Sequence, residues 1–135
     1  MSNQAWDALD VLEGMLALMG EKKLPASVPA VHGAFHDLAQ KRSYKAFVAE
    51  YLFQRRTGFF FSVKLQTYLE NLELAGLVSC VNPHLSTYEI QDKLETTFQQ
   101  YVKPKFSKRE IKTLGRMARE FRKRVTAQLP AATGV

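Results

Sequence analysis

The chain has almost no cysteine and no long hydrophobic run. Cys80 is the single cysteine among 135 residues, so an internal disulfide cannot form and nothing suggests an oxidising compartment. No apolar run approaches the roughly 18 residues that a membrane-spanning helix needs. An apolar stretch near the N-terminus is interrupted by Asp7, Asp10 and Glu13 and follows no basic segment, unlike a signal peptide. We therefore expect a cytoplasmic protein that does not bind membranes.

Signatures of catalysis are also missing. The sequence has no glycine-rich phosphate-binding loop and only three histidines. His32 and His36 have the i,i+4 spacing of two metal ligands on a helix, but Gly33 stands where a zinc protease carries its glutamate base. We predict no catalytic residue and no cofactor.

Two interpretations of the histidines and the cysteine remain open. One is a zinc site formed by one cysteine and three histidines: Cys80, His32, His36 and His84. In the simpler interpretation, His32 and His36 are surface polar residues and the cysteine is a small buried hydrophobe.

Charge is distributed unevenly along the chain. Residues 103–124 contain ten basic and two acidic residues, a net charge of +8. Residues 1–102 contain nine basic and eleven acidic residues, a net charge of −2, and the two parts sum to the +6 of the whole chain. This asymmetry indicates where an anionic partner would bind.

The last helix is the element that the sequence specifies most fully. Ser107 and Glu110 form an S-x-x-E capping box, which predicts a helix over about residues 108–128. Its apolar residues recur with helical period and predict a buried stripe: Ile111, Leu114, Met117, Ala118, Phe121 and Val125. Five cations lie on a narrow arc nearly opposite, and we call them the cationic face: Lys108, Lys112, Arg116, Arg119 and Lys123.

The cationic face predicts contacts with the phosphates of DNA or RNA, to which Arg55 and Arg56 would contribute from a turn. The alternative is a solvated surface, with lysine and arginine present for helix propensity and solubility. Attachment of this helix to a membrane surface is disfavoured, because its apolar stripe lacks tryptophan and is needed for the core.

The remaining chain predicts a mainly α-helical single domain of about six helices. Gly20 and Gly76 suit helix ends, and Ser27 and Ser62 suit helix starts. These signals and the apolar periodicity predict helices over about 4–19, from Ser27, over 44–52, over 62–75 and from about Ile90 to Pro104. The domain would cover residues 1–129, and residues 130–135 would form a flexible tail.

Three segments carry weaker signals. Residues 21–26 suggest a connection, and Phe59–Phe61 suggests extended chain with at least one partly exposed ring. Leu85–Ile90 fits a strand that pairs with Leu77–Val81 in a small hairpin. It also fits a helix start, because Ser86 and Glu89 form a second capping box, and this local rule favours the helix.

Part of the chain resembles known families. The segment Leu74–Val78, Leu-Ala-Gly-Leu-Val, ends a serine-capped helix and precedes a proline-containing turn and Tyr88–Ile90; this order resembles the winged-helix family. In that family such a helix is the recognition helix and the following hairpin is the wing. The resemblance covers about residues 44–90 and implies DNA binding and transcription regulation. Phe106–Ile111 is loosely similar to the Panacea-type antitoxin domain, which implies a protein partner.

The sequence also departs from the winged-helix pattern. A helix-turn-helix has a short turn before its second helix, whereas residues 55–61 make a seven-residue connection. The candidate recognition helix carries Lys64 against Glu70 and Glu73, so it offers few cations for phosphates. We therefore predict a non-catalytic winged-helix-like regulatory protein that associates with nucleic acid through its last helix. The alternative is a protein-protein interaction module, dimeric through the last helix or through Phe59–Phe61.

Overall fold

The computed structural model describes residues 5–81 and 87–127. In these ranges the chain forms six α-helices: α1 Ala8–Leu18, α2 Val28–Ala39, α3 Lys45–Val48, α4 Val63–Leu74, α5 Asp92–Thr97 and α6 Lys108–Ala127. The described ranges also contain five short strands: β1 Lys23–Pro25, β2 Gln54–Arg56, β3 Phe59–Phe61, β4 Val78–Val81 and β5 Thr87–Ile90. The prediction of a mainly α-helical fold is confirmed. The predicted tail at 130–135 lies outside the described residues.

Helix starts follow their predicted caps. Ser27 accepts a hydrogen bond from the backbone of Ala30 at 3.3 Å, and Ser62 accepts one from Leu65 at 3.2 Å. α1 begins later than predicted, because Asp7 and Asp10 form a reciprocal capping box, with N···O distances of 2.9 and 3.0 Å. The capping carboxylates thus fix the start of α1 at Ala8.

The segment expected to be a connection contains a strand. β1 pairs antiparallel with β5, and β5 pairs antiparallel with β4, so the sheet order is β1-β5-β4. The predicted alternative of a small hairpin with Leu77–Val81 is confirmed over Thr87–Ile90, and the helix start that the local rule favoured is wrong. Two neighbouring strands satisfy the backbone groups of β5, which outweighs the local capping signal. Ser86 lies outside the described residues.

The aromatic segment Phe59–Phe61 is extended, as predicted. β2 and β3 pair in a two-stranded hairpin, with Gly58 in its turn at φ +81°. All three phenylalanines of β3 are half-buried, which confirms that at least one ring is partly exposed. The preceding helix α3 is shorter than predicted and ends at Val48. Beyond it, Tyr51 is buried and its hydroxyl donates to the carbonyl of Ala8.

The chain before α6 is less regular than predicted. A continuous helix was expected from Ile90, but α5 is α-helical only to Thr97. A π-helical turn at Phe98–Val102 and a 3₁₀ turn at Lys103–Lys105 follow it. Pro104 lacks the amide hydrogen that would continue the helix. α6 follows this turn and packs against α1 and α2.

The buried residues form one hydrophobic cluster in which α6 packs against α1 and α2. Gly14 permits the close approach of α1 and α6, since a Cβ atom there would lie 2.6 Å from Leu114 Cδ2 and 3.0 Å from Phe98 Cε1. Phe121 of α6 meets Phe35 of α2 edge-on, with ring centroids 5.3 Å apart. These contacts fix the rotation of α6 about its axis.

Among the described helices, none combines the length and the apolar character that crossing a membrane requires.

Candidate nucleic-acid interface

The predicted capping box holds the start of α6. Ser107 donates its backbone N–H to Glu110 Oε1 at 2.8 Å, and Glu110 donates its own to Ser107 Oγ at 3.1 Å. The other oxygen of Glu110 accepts a hydrogen bond from Trp6 Nε1 at 3.0 Å. The bond from the Ser107 backbone is the main reason why the pKa of Glu110 is below its usual value. The carboxylate therefore stays ionised and ties α6 to the N-terminal region.

The apolar stripe of α6 is buried almost as predicted. Ile111 is half-buried, and the other five residues are buried: Leu114, Met117, Ala118, Phe121 and Val125. Burying this stripe against α1 and α2 turns the opposite side of the helix toward solvent. The packing of the core thus determines which residues an external partner can reach.

All five residues of the cationic face are exposed. They lie within an arc of about 80° and extend over about 22 Å of helix, at 100° and 1.5 Å per residue. Within residues 5–81 and 87–127, none of them has a carboxylate oxygen within the 4.0 Å of an ion pair. The structure therefore brings together five cations whose charge no described carboxylate neutralises.

Two other cations of α6 have carboxylate partners, whereas exposed Arg109 has none among the described residues. Arg122 pairs with Glu21 at 2.8 Å, and Arg124 pairs with Asp37 at 3.4 Å. Arg124 also pairs with Glu120 at 3.4 Å. Arg122 and Arg124 lie on either side of the cationic face, and their charges are compensated by carboxylates. The uncompensated positive charge is therefore concentrated on the cationic face.

Glu120 connects α6 to the link between α2 and α3. It pairs with Lys41 and accepts a hydrogen bond from Tyr44. Burial raises the pKa of Glu120, but these two hydrogen bonds and the nearby cations outweigh burial and hold the pKa below its usual value. A permanent carboxylate therefore borders the cationic face on the side of α2.

The predicted contributors from the turn, Arg55 and Arg56, lie on the β2–β3 hairpin and are exposed. The guanidinium of Arg55 lies 5.7 Å from the ring centroid of Phe60. His36 stacks on the same ring, with ring centroids 3.7 Å apart and an interplanar angle of 6°. The Phe60 ring thus has contacts with both an α2 side chain and an exposed cation.

A second stack has the same composition. The guanidinium of Arg56 lies 4.4 Å from the ring centroid of Phe61, and His32 stacks on that ring at 4.6 Å and 5°. Cation–π contacts of this kind favour one position of the guanidinium. The two stacks dock the hairpin on α2 and orient both arginines.

Buried His32 corrects one sequence interpretation. It was expected to be a surface residue, but it is fully buried, accepts the backbone N–H of Ser62 at Nδ1 (3.0 Å), and lies 3.1 Å from Gln66 Oε1 at Nε2. Because Nδ1 accepts, Nε2 carries the proton and donates to Gln66. Burial lowers the pKa of His32, so the ring is neutral. Both ring nitrogens are engaged, which leaves none for a metal ion.

No group of three or more metal-binding side chains occurs within the described ranges. His84, the fourth ligand of the alternative zinc site, lies outside them. Cys80 is half-buried, its thiol donates to Glu73 Oε1 at 3.3 Å, and burial raises its pKa to about 11. A thiol that keeps its proton is a poor nucleophile and a poor metal ligand.

A carboxylate of α2 lies between the two predicted basic regions. Asp37 of α2 pairs with Arg124 of α6, and it lines a groove together with Arg55 and Phe60 of the hairpin. The cationic face and the hairpin arginines therefore do not form one continuous basic surface. The groove between α2 and the hairpin is a feature that sequence reasoning missed, since it depends on how the hairpin docks.

No protein-family model matches this chain, and neither a curated protein nor a solved structure matches it significantly.

Proposed function

We propose that this chain is a non-catalytic, winged-helix-like regulatory protein of the cytoplasm that associates with DNA or RNA through the cationic face of α6. The observation that carries the proposal is the absence of carboxylate partners for five exposed cations, in the described part of the chain, beside neighbours that are paired. Nucleic acid carries regularly spaced negative charge, and a row of unpaired cations on one helix face complements it.

The winged-helix part of the proposal has separate support. α4 ends at Leu74, Gly76 follows with φ +76°, and the antiparallel pair β4–β5 comes next. A helix followed by such a hairpin is the order that the winged-helix resemblance implies. The exposed cation of α4, Lys64, pairs with Glu50 at 3.7 Å. We therefore assign most phosphate contacts to α6 rather than to α4.

The test is fluorescence anisotropy of a labelled DNA duplex, titrated with protein between about 50 and 300 mM salt. The variant Arg116→Glu/Arg119→Glu reverses two charges on the cationic face. Its matched control, Lys64→Glu/Lys93→Glu, makes the same change in net charge on exposed residues of α4 and α5. We expect a slope of log K against log salt of about −3 or steeper for the parent protein, flattened in the α6 variant and preserved in the control.

Two outcomes would contradict this assignment. Absence of binding at the lowest salt, for the duplex and for a single strand of the same sequence, would remove nucleic acid as a partner and leave the cationic face as a solvated surface. Binding that is lost only in the control variant would instead place the phosphates on the side of α4. Thermal unfolding of all three proteins verifies that each variant is folded.

A second candidate, a protein-protein interaction module, is supported by an exposed apolar area. Leu52 and Val63 are 77% and 56% exposed, and they line a groove of about 480 Å³ with Tyr68. Large apolar side chains that remain in solvent mark interaction surfaces. The module would form a homodimer, or bind an antitoxin-like protein partner, through this groove. Sedimentation should then give a dimer that Leu52→Glu/Val63→Glu converts to a monomer, whereas a monomeric parent protein would contradict the homodimer.

A further inference from the structure

A groove of about 400 Å³ lies between α2 and the β2–β3 hairpin. Pro29, Gly33 and Asp37 follow one another at intervals of four residues and form its wall on α2. The hairpin supplies the opposite wall: Arg55, Gly58, Phe59 and Phe60. Pro29 has a short side chain and Gly33 has none, so little protrudes from α2 into the groove. A flat group can therefore enter between the helix and the hairpin.

The lining combines three kinds of chemistry. Phe59 and Phe60 are half-buried and supply aromatic surface. Arg55 is exposed and supplies a guanidinium, which is oriented by its contact with Phe60. Asp37 supplies a carboxylate, 44% exposed, that already pairs with Arg124. The same carboxylate lies 3.8 Å from His36 Nδ1.

We propose that this groove binds one unpaired nucleotide of a single-stranded nucleic acid. The base packs against Phe59 and Pro29, and Arg55 pairs with the phosphate of that nucleotide. Stacking on aromatic and guanidinium planes is the usual way in which proteins hold unpaired bases. A base inside a duplex is stacked on both faces and cannot enter.

This inference rests on the proposed function, in which the cationic face of α6 binds phosphates of the nucleic acid. Asp37 is held by Arg124, whose neighbour in sequence is Lys123 of the cationic face. Asp37 thus links the groove to α6, and the proposed function assigns other phosphates of the same strand to the cationic face. The protein should bind a single strand more tightly than a duplex of equal length.

The test compares a labelled single strand with its duplex in the same anisotropy assay. Phe59→Ala/Arg55→Gln removes aromatic surface and one cation from the groove. The matched control, Tyr101→Ala/Lys103→Gln, removes an aromatic ring and one cation from exposed positions elsewhere. Loss of one stacked base costs roughly 5-fold to 100-fold in affinity. We expect a loss of that size for the single strand in the groove variant, little change for the duplex, and little change for either in the control.

The outcomes separate this inference from the proposed function. Reversal of Arg116 and Arg119 should weaken both single strand and duplex, since it acts on phosphates. The groove assignment is overturned if the groove variant binds single strands as tightly as the parent protein does, or if its affinity falls equally for single strand and duplex. The assignment of phosphate contacts to the cationic face is unaffected by either result. If neither form binds the parent protein, the proposed function fails with it. A nucleoside 5′-monophosphate that displaces the duplex as well as the single strand would also overturn the assignment.

Discussion

The cationic face of α6 and the acidic residues of α1 are both clusters of like charge on a helix, but only the cationic face lies in solvent. Asp10 and Glu13 of α1 are 8% and 7% exposed. Asp10 is compensated by Lys105 at 3.1 Å and by the backbone N–H of Asp7 at 3.0 Å. Among the described residues, Glu13 Oε2 has no hydrogen-bond partner.

The two clusters respond to repulsion differently. Burial, with the nearby charge of Asp10, raises the pKa of Glu13 to about 7, so repulsion is reduced by keeping a proton. The cationic face keeps all its charges, because water and salt screen exposed groups. Burial thus reduces like-charge repulsion inside the protein by favouring protonation, whereas exposure leaves the charge available to a partner. Three experiments test this difference.

The largest effect should come from Glu13. Its pKa is about 7 in the folded protein against 4.5 for the unperturbed side chain. Between these values the unfolded state binds fewer protons, so the free energy of unfolding falls as pH rises, by about 3 kcal/mol in total. Glu13→Gln cannot titrate and should lack this loss. Urea denaturation of both proteins between about pH 4 and pH 8 measures the difference, and parallel stability curves would contradict the raised pKa.

A smaller effect is expected at Lys105. Lys105→Gln removes the cation that faces Asp10 and should lower the free energy of unfolding by about 1 kcal/mol, since the lysine is partly exposed and screened. Lys105 also lowers the pKa of Glu13, so its loss should extend the pH-dependent decline to higher pH. Lys103→Gln, two residues away and exposed, is the control. A control that reproduces the change would show that net charge alone is responsible.

The smallest effect should come from the cationic face. Arg119→Gln removes one of several like charges at i,i+4 or i,i+3 spacing, so stability should change by no more than about 0.5 kcal/mol. Any gain at low salt should disappear at high salt. Arg124→Gln breaks ion pairs with Asp37 and Glu120 and is the contrasting variant that should destabilise. A loss above roughly 1 kcal/mol for Arg119→Gln would mean that the cationic face serves the fold.

Much of the fold could be predicted because its helix ends carry local chemical signals. Ser27 and Ser62 cap their helices, the Ser107–Glu110 box starts α6, and Gly76 ends α4 in the left-handed region. Each signal acts over three or four residues, so sequence alone is sufficient to detect it. The cationic face was predictable for the same reason, since helical periodicity places its five residues together.

The elements that were predicted wrongly depend on contacts with residues distant in sequence. β1 has three residues and includes a proline, yet it forms because it pairs with β5, where Lys23 lies opposite Glu89. The same pairing overrides the helix signal at Thr87–Ile90. His32 was assigned to the surface because the docking of Phe61 and Ser62 over it cannot be seen in local sequence. The groove beside α2 depends on the same docking event.

The packing of α6 on α1 also sets the order of events when the protein is made. Trp6 binds Glu110 across 104 positions of sequence, and Leu114 fills the space left by Gly14. Contacts between such distant segments form late and slow the folding rate. Until α6 has left the ribosome, the buried side of α1 has no cover, and the nascent chain exposes an apolar surface that a chaperone can bind.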